Sequence, residues 1–474
     1  MILRGNTRVR PAAATRTEVS VSHRQGVRFE LAPSTEQAIV MGRHCGLSRV
    51  VENFCLETVY AKWAQRKAEE SYGLIGDALT QVPWSAPELE REWRAVHRQR
   101  FPWFAENKMS SRVPKEACRG RAAGFANYLE SKNGRRKGRR LGFPTWRKRK
   151  HGSRFRYDAD RAKPVGPRTV RLPAIGDVGT REDMSWLTDR LVDDRARILG
   201  ATVREHAGRW WISFQLELDR TDINLRHKVA AEAPACGIDL GLTTFAVISN
   251  SDGSFEHISA PKPLAAALRA LARANRSLAR CAEGSKNRIK ARRRVARLHL
   301  RVANQRRDFL HKTTTRLART KSAIAVETLN VKGMTANRRL SRAISDAGFG
   351  EFIRLLAYKA DWYGATLYRA DRWFPSSKTC AVCGSVNQGL TLADRSWLCP
   401  GCDTAHDRDR NAAANLLAAM LADPHFLAGK FPGETKRLAE IAEDQLPQWS
   451  RRQSMKQEED QLGIAEIHAT VTHR

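Results

Sequence analysis

Residues 376–420 read SSKTCAVCGSVNQGLTLADRSWLCPGCDTAHDRDRNAAANLLAAM. Two CxxC pairs, 15 residues apart, lie in this stretch: Cys380, Cys383, Cys399 and Cys402. Each pair offers two thiolates from one tight turn, and the loop brings the pairs together, which is the ligand spacing of a tetrahedral zinc site. Two disulfides or unlinked buried cysteines are the alternatives. Four protein ligands leave no open position on a metal, so we expect a zinc ribbon that supports structure or grips nucleic acid.

The segment after the ribbon has the pattern of an amphipathic helix that carries a carboxylate. Asp409, Ala413, Leu416 and Met420 fall at i, i+4, i+7 and i+11, which places them on one face. Asp407 lies half a turn away and is the expected N-cap. Asp409 therefore stands at the edge of an apolar face, although a second capping acid is an equally open interpretation.

The composition indicates a polyanionic partner. Lys and Arg number 83 against 50 Asp and Glu in 474 residues, a formal net charge of +33. Nucleic acid is the first candidate for such a charge, and a membrane surface is the alternative. No apolar run reaches the roughly 18 residues of a spanning helix. The length predicts about three domains.

The other cysteines and residues 1–24 indicate the kind of compartment in which the protein folds. The five remaining cysteines are scattered, and an odd number argues against a disulfide framework, so we expect a reducing compartment. Residues 1–24 have no hydrophobic signal region and are interpreted as a basic arm.

The amino-terminal half predicts strands that a helical segment interrupts. GVRFEL (26–31) has the pattern of a strand, and Ser34 with Gln37 forms a capping box that opens a helix. Residues up to about 129 are predicted to be helical. GATVREHAGRWWISFQLEL (200–218) predicts a hairpin that turns at Ala207-Gly208. With GVRFEL, this hairpin could close a small β-barrel around the helical insertion.

Residues 132–157 interleave basic and aromatic side chains. A plain charge run would be a flexible tail, but aromatic rings can stack on bases while the cations contact phosphates. We therefore favour nucleic-acid contact for this segment. Its aromatic residues are Phe143, Trp146, Phe155 and Tyr157, and its densest basic run is Arg147, Lys148, Arg149 and Lys150.

Two further acids stand in strand patterns of the carboxy-terminal half. ACGIDLGLTTFAVIS (235–249) predicts a strand, a turn and a second strand, with Asp239 between two glycines; such a carboxylate can hold a divalent metal or simply form a turn. Glu327 ends the apolar strand SAIAV, where burial is costly unless the carboxylate is paired or metal-bound. Between them, residues 261–321 predict a basic helical pair whose exposed face includes Arg292, Arg293, Arg294 and Arg297.

Asp239, Glu327 and Asp409 together suggest an RNase-H-like metal site in an α/β protein of several domains. Phosphodiesters are anionic and resist attack by water, and two Mg²⁺ ions about 4 Å apart overcome this when shared carboxylates hold them. Carboxylate oxygens suit Mg²⁺ or Mn²⁺.

At these residues the sequence resembles a known family, the transposon-associated TnpB proteins and the compact type V CRISPR effectors that share their RuvC nuclease. The matching stretches are GIDLGLTTFAVIS, AVETLNVKGM, DAGFGEFIRLLAYKADWYGATLYRADRWFPSSKTCAVCG and SWLCPGCDTAHDRDRNAAANLL, within residues 237–417, with a weaker match at the amino-terminal strand and helix and at LGFPTWRKR. Residues 72–118 match poorly.

The resemblance implies a function, an architecture and a location, the cytoplasm of a prokaryote in association with the nucleoid. It implies catalytic, Mg²⁺-binding roles for Asp239, Glu327 and Asp409, zinc on the four cysteines, and cleavage of target DNA beside a short flanking motif under a guide RNA. The expected domains are a basic arm (1–24), a wedge-like β-barrel (25–33 and 141–225), a helical recognition lobe (34–140), a RuvC-like nuclease (235–375 and 403–423), a zinc ribbon (376–402) and a tail (424–474).

Three other interpretations remain open at this point. GIDLGLTT also resembles a phosphate loop of actin-like ATPases, although the one similar second string, at residues 176–180, lies upstream. A non-cleaving RNA-guided binder or DNA-binding repressor of the same ancestry is a second. A CRISPR effector in place of a transposon-encoded protein is the third, and the compact length favours the transposon form.

Overall fold

The computed structural model describes residues 22–149, 152–159, 161–219, 229–230, 232–391, 393–423 and 426. The chain divides into two compact units, Met1–Thr221 and Asp222–Arg474. Most of the predicted basic arm and tail, and Lys150, lie outside the described residues.

A seven-stranded antiparallel sheet forms the framework of the first unit. Its strands are β1 (Ser22–Ala32), β2 (Ser153–Asp158), β3 (Lys163–Gly166), β4 (Thr169–Leu172), β5 (Gly176–Thr180), β6 (Ala196–His206) and β7 (Arg209–Asp219), in the order β2-β6-β7-β1-β5-β4-β3. The predicted hairpin is confirmed, because His206 pairs with Arg209 across Ala207 and Gly208, both of which have positive φ. In the described pairings β2 and β3 are the two edges, so closure into a barrel stays a prediction.

Residues 176–180 form β5 and pair with β4 and β1 by antiparallel bonding. They belong to the first unit, whereas the strand that contains GIDL belongs to the second. The placement of this string in an antiparallel sheet gives no support to the actin-like interpretation.

Helices interrupt this sheet between β1 and β2, as the sequence predicts. They are α1 (Thr35–Ser71), α2 (Ala86–Arg100), α3 (Trp103–Glu106) and α4 (Arg112–Lys132), and α5 (Ser185–Val192) follows β5. The capping box is present, since Ser34 Oγ accepts from Gln37 N and Gln37 Oε1 accepts from Ser34 N. Aromatic rings fill the space between α1, α2 and α4.

Most of the aromatic residues in the segment 132–157 belong to this core. Phe155 and Tyr157 are fully buried in β2, and Phe143 packs against Trp63. Stacking on bases is therefore the wrong interpretation for Phe155 and Tyr157, because their alternation with polar residues came from a strand with one buried face. Phe143 is half-buried in a loop and packs against the rings of Trp63 and Phe125. Trp146, at 46% exposure, remains available.

His44 couples the stability of the first unit to pH. Its ring is buried, with Nδ1 2.9 Å from the carbonyl of Val40 and Nε2 accepting from Ser110 N at 3.1 Å. Nδ1 therefore carries the proton of a neutral ring, and burial lowers the pKa of His44.

We expect the free energy of unfolding to fall as the pH drops below about 6.5, the ordinary pKa of histidine. Below that value His44 of the unfolded chain is protonated, whereas His44 of the folded protein stays neutral until the pH reaches its lowered pKa. Each pKa unit of difference contributes about 1.4 kcal/mol. Urea unfolding of the full chain at several pH values should give a shallower slope for His44→Gln than for the wild type; equal slopes would contradict the assignment.

A five-stranded mixed sheet organises the second unit. Its strands are β8 (Cys236–Leu240), β9 (Thr244–Asn250), β10 (Phe255–Ser259), β11 (Ala323–Val326) and β12 (Thr366–Arg369), in the order β10-β9-β8-β11-β12. β8, β9 and β10 are antiparallel neighbours, whereas β11 runs parallel to β8 and β12. The carboxyl ends of β8, β11 and β12 therefore meet at one edge.

Helices cover both faces of this sheet. They are α6 (Pro263–Ala279), α7 (Lys286–Thr320), α8 (Val331–Met334), α9 (Ser341–Ala347), α10 (Phe349–Tyr363) and α11 (Arg408–Leu421). The predicted helical pair is confirmed as α6 and α7, and Ser285 caps α7 by accepting from Arg288 N at 3.1 Å. Ile238, Ile324 and Val326 pack with residues of α7 and α10, whereas Ala323 and Ala325 pack with α11.

The zinc-ribbon segment leads directly into α11. A short ladder joins β13 (Ser396–Leu398) to β14 (Ala405–Asp407), and α11 begins at the next residue. Asp407 is the N-cap, as predicted, and accepts from Arg410 N at 2.8 Å. Among the described helices, none combines the length and the apolar character that crossing a membrane requires.

Candidate functional site

Asp239 and Glu327 lie side by side at the carboxyl edge of the mixed sheet. β11 runs parallel to β8 with Ala325 opposite Gly237, so two residues further along each chain Glu327 is level with Asp239. Both residues are half-buried, and Leu240 N approaches Glu327 Oε1 at 3.5 Å. Side chains alternate between the faces of a sheet, so Asp239 shares its face with Gly237 and Glu327 with Ala325. That is the face on which α11 packs.

Gly237 lets α11 approach β8 closely. A Cβ at position 237 would stand 2.1 Å from Ala413 O and 2.5 Å from Leu417 N. The helix backbone therefore occupies the space that any other side chain would need. Asp409 lies one turn before Ala413, so this contact brings the start of α11 towards Asp239.

The negative charges of Glu327 and Asp409 both act on the pKa of Asp239. Burial and the charges of Glu327 and Asp409 raise the pKa of Asp239 well above its usual range. Burial also raises the pKa of Glu327, although a hydrogen bond with Asp239 and the charge of Arg408 oppose that rise. A half-buried carboxylate pair of this kind is costly to ionise without a cation. The donor set, hard carboxylate oxygens in a costly arrangement, fits Mg²⁺ or Mn²⁺.

Asp409 is partly exposed at the start of α11. Its side chain is 32% exposed, and Arg395 Nη1 lies 3.6 Å from its Oδ1. Ala413, Leu416 and Met420 are buried, so the predicted apolar stripe is confirmed, with Asp409 at its edge. Asp407 already caps the helix. Asp409, in the first turn, interacts with Asp239 as well, because its negative charge raises the pKa of Asp239.

The four cysteines form a compact thiol cluster that can bind zinc. Their Sγ atoms all lie within 4.8 Å of one another, and this is the one such group of three or more potential ligands among the described residues. Cys380 and Cys402 Sγ are 3.6 Å apart, and Cys383 and Cys399 Sγ are 3.5 Å apart. With Zn–S bonds of about 2.3 Å, a tetrahedron has S···S edges near 3.8 Å. All four thiols are free, which removes the disulfide alternative.

Two asparagines on α11 tie the ribbon to the helix that carries Asp409. Asn411 Oδ1 accepts from Ala381 N at 2.9 Å, and its Nδ2 donates to Thr379 O at 2.7 Å. Asn415 Nδ2 donates at 2.7 Å both to Thr379 O and to Ser376 O. Both amides are buried. The ribbon therefore fixes the direction in which α11 leaves it.

Sequence reasoning missed these two asparagines and two arginines. The signal for the amides was present: polar side chains one turn apart within an apolar helix must find partners when they are buried. No sequence pattern indicated Arg395 and Arg408. They come near the acids only through the pairing of β13 with β14 and the hydrogen bond from Arg408 N to Arg395 O.

Replacing Asn415 with alanine should loosen this attachment. The change leaves the carbonyl of Ser376 with a weaker partner, so we expect a loss of about 1–3 kcal/mol in unfolding free energy. Zinc should also be lost faster to a chelator, as measured with a colorimetric zinc dye. Gln388→Ala, an exposed amide of the same ribbon, is the matched control, and identical zinc release from the two variants would refute the role of Asn415.

The residues predicted to bind nucleic acid fall into two groups. Arg147 is buried and pairs with Glu52, so it supports the fold of the first unit. Lys148 and Arg149 are exposed beside Trp146. Four arginines are exposed on α7: Arg292, Arg293, Arg294 and Arg297. No contact in the structure tests nucleic-acid binding, which stays a prediction.

The chain is similar in sequence to known protein families and to individual proteins. Residues 213–338 match a family described as "Probable transposase", and residues 349–416 match one described as "Cas12f1-like, TNB domain". A Streptomyces pristinaespiralis protein described as "Putative RNA-guided DNA endonuclease" is 35% identical over 84% of this chain and 90% of its own.

A second relative with that description, InsQ of Escherichia coli K12, is 27% identical over 83% of this chain and 92% of its own. Among solved structures, the mini-RNA-guided endonuclease CRISPR-Cas_phi3 aligns with a TM-score of 0.47 at 9% identity, over 85% of this chain and 93% of that one. The last similarity is too low to support an argument.

Proposed function

Because this chain belongs to the family of TnpB-like RNA-guided DNA endonucleases, we propose that it cleaves DNA at positions selected by a guide RNA and that Asp239, Glu327 and Asp409 are its catalytic residues. The observation that supports this assignment best is the arrangement of Asp239 and Glu327 at one strand edge, with α11 packed over Gly237. The negative charge of Asp409, on α11, also raises the pKa of Asp239, which supports including Asp409 in the same site.

The chain's own residues would hold Mg²⁺ and prepare the strand. Asp239 and Glu327 offer adjacent oxygens, and the N–H of Leu240 orients Glu327. Asp409 would add a carboxylate from the helix, where Arg395 Nη1 lies 3.6 Å from its Oδ1. When bound, Mg²⁺ would supply an activated water and neutralise charge on the leaving oxygen. With these roles, the reaction would be a metal-assisted hydrolysis of phosphodiesters.

Zinc on Cys380, Cys383, Cys399 and Cys402 has a structural role in this proposal. Val382 N and Gly401 N point at the sulfurs of Cys380 and Cys399 at 3.4 and 3.3 Å, and such donors stabilise thiolates. His406 Nε2 lies 3.0 Å from Cys380 Sγ and can add a further bond. Elemental analysis of the purified protein should find one zinc per chain.

The basic surfaces would hold the guide RNA and the target DNA. We assign this role to the exposed arginines of α7 and to Trp146, Lys148 and Arg149, and we assign recognition of a flanking motif to the wedge-like sheet (25–33 and 141–225) and helical lobe (34–140). The excess of 33 positive charges supports a polyanionic partner.

Removing four charges from α7 should weaken nucleic-acid binding and flatten its salt dependence. In the variant with Arg292, Arg293, Arg294 and Arg297 changed to glutamine, each lost contact with a duplex phosphate lowers the slope of log K against log salt by about 0.9. Fluorescence anisotropy at several KCl concentrations measures the slope. Arg354→Gln, which removes an exposed arginine paired with Glu351, should leave it unchanged.

The direct test of the function is to purify the protein from its host and sequence the RNA bound to it. A defined RNA with one variable end should direct Mg²⁺-dependent cutting of a DNA that matches that end. Cutting that ignores the variable end, or a bound RNA with no cutting at all, would overturn the proposal; the second result would favour an RNA-guided binder.

A further inference from the structure

Trp373 is an exposed aromatic residue close to the candidate active edge. Its side chain is 79% exposed, and it lies in the segment 370–375 between β12 and the zinc ribbon. A single exposed apolar residue is ordinary on a protein surface. Trp373 differs from an isolated exposed residue in its neighbours and in its position in the turn that follows β12.

The segment around Trp373 is held at both ends. Ala370 is buried, and Phe374 packs against the cluster that contains Leu416 and Leu417. Between them, Asp371 Oδ1 accepts from Trp373 N at 2.7 Å, and Asp371 O accepts from Phe374 N at 3.2 Å. The exposed ring therefore projects from a fixed turn.

A cation accompanies the ring. The guanidinium carbon of Arg372 lies 4.9 Å from the centroid of the Trp373 ring, and Arg372 is itself exposed. No carboxylate among the described residues pairs with Arg372. An aromatic face for a base next to a cation for a phosphate is the combination that binds single-stranded nucleic acid.

The position of the turn relates Trp373 to the carboxylates. Ala370 N donates to Val326 O at 2.9 Å, and Thr328 Oγ1 donates to Ala370 O at 2.8 Å. Ala370 is thus level with Glu327, on the strand next to it, and the chain reaches Trp373 three residues later. Neighbouring strands are about 4.8 Å apart, so the turn begins about one strand spacing from Glu327.

We propose that Trp373 and Arg372 form a stacking platform that binds one unpaired base of single-stranded DNA and positions the strand for the carboxylates. This inference rests on the proposed function, because that function supplies DNA as the substrate at this edge. Paired bases have their faces covered by their neighbours, so the ring selects an unpaired strand. Trp373 is a positioning residue, and the reacting atoms stay with Asp239, Glu327 and Asp409.

The kinetic test uses the full-length protein with its co-purified RNA. Trp373→Ala should raise KM for a single-stranded DNA substrate about 5- to 150-fold, the range for loss of one base–aromatic stack, with kcat nearly unchanged. Trp373→Phe keeps a ring and should restore most of the affinity. Leu340→Ala, which removes a 43% exposed apolar side chain of the second unit outside the proposed platform, is the matched control and should leave KM unchanged. An unchanged KM in Trp373→Ala would overturn the inference.

A second readout does not depend on cleavage. In the Asp239→Asn background, DNA that contains 5-iododeoxyuridine should crosslink to Trp373 on irradiation, as identified by mass spectrometry. A crosslink from the DNA to another residue in its place, or no crosslink, would overturn the inference. If the wild type cuts no DNA but the crosslink forms, the proposed function fails while the platform stands; if the wild type cuts and Trp373→Ala cuts equally well, only the platform fails.

Discussion

Asp239→Asn should abolish DNA cleavage and at the same time raise the stability of the protein in the absence of divalent cations. The first effect follows from the loss of a carboxylate that would hold Mg²⁺, a contribution of several kcal/mol in the transition state. Such a loss slows the reaction by at least about a thousandfold. Asparagine has nearly the same shape, so guide RNA binding should be unchanged.

The second effect follows from the raised pKa of Asp239, which burial causes first and the charge of Glu327 adds to. An amide removes that repulsion and can donate to Glu327. Melting measured by differential scanning fluorimetry should therefore shift upwards in EDTA, whereas Mg²⁺ should stabilise the wild type and leave Asp239→Asn unaffected.

Asp361→Asn is the control, since it neutralises an exposed acid on α10 of the same unit. It should neither stop cleavage nor remove the response to Mg²⁺. Undiminished cutting by Asp239→Asn would refute the catalytic assignment, and a wild type that melts identically with and without Mg²⁺ would refute a cation site at these acids.

The strand positions of Asp239 and Glu327 were readable from the sequence because each acid ends or interrupts a short apolar strand. Such acids are conspicuous, since burial makes them costly. The cysteine spacing was equally direct, because two residues between thiols constrain the backbone locally. These features depend on a few neighbouring residues, and the sequence contains all of those.

What the sequence left hidden depends on contacts between distant segments. Arg147 stands in a basic run but is buried against Glu52, 95 residues earlier. Phe155 and Tyr157 alternate with basic residues because β2 has one buried face, which resembles a nucleic-acid-binding pattern until β6 is paired with it. Asn411 and Asn415 donate hydrogen bonds to backbone carbonyls of the ribbon, and no local sequence pattern predicts where those carbonyls lie.

Gly237→Ala should disrupt the second unit by separating α11 from β8. The new Cβ would meet Ala413 O at 2.1 Å and Leu417 N at 2.5 Å, and both atoms belong to a helix backbone that cannot turn aside as a side chain can. Overpacking commonly costs about 1–3 kcal/mol, and a clash with backbone belongs at or above the top of that range. The free energy of unfolding, measured by urea denaturation of the full chain, should fall accordingly.

The same substitution should reduce cleavage more than its loss of folded protein explains. Asp409 is on α11 and Asp239 is on β8, so a helix displaced by the methyl group takes one carboxylate away from the other. Activity per folded molecule, at a temperature where both proteins are folded, should therefore fall, and more Mg²⁺ should be needed for half-maximal cutting. Gly350→Ala is the matched control, because a Cβ there meets nothing within 4 Å and alanine favours the helix by up to about 1 kcal/mol. Equal stability and equal Mg²⁺ dependence in the two variants would show that α11 does not set the distance between the acids.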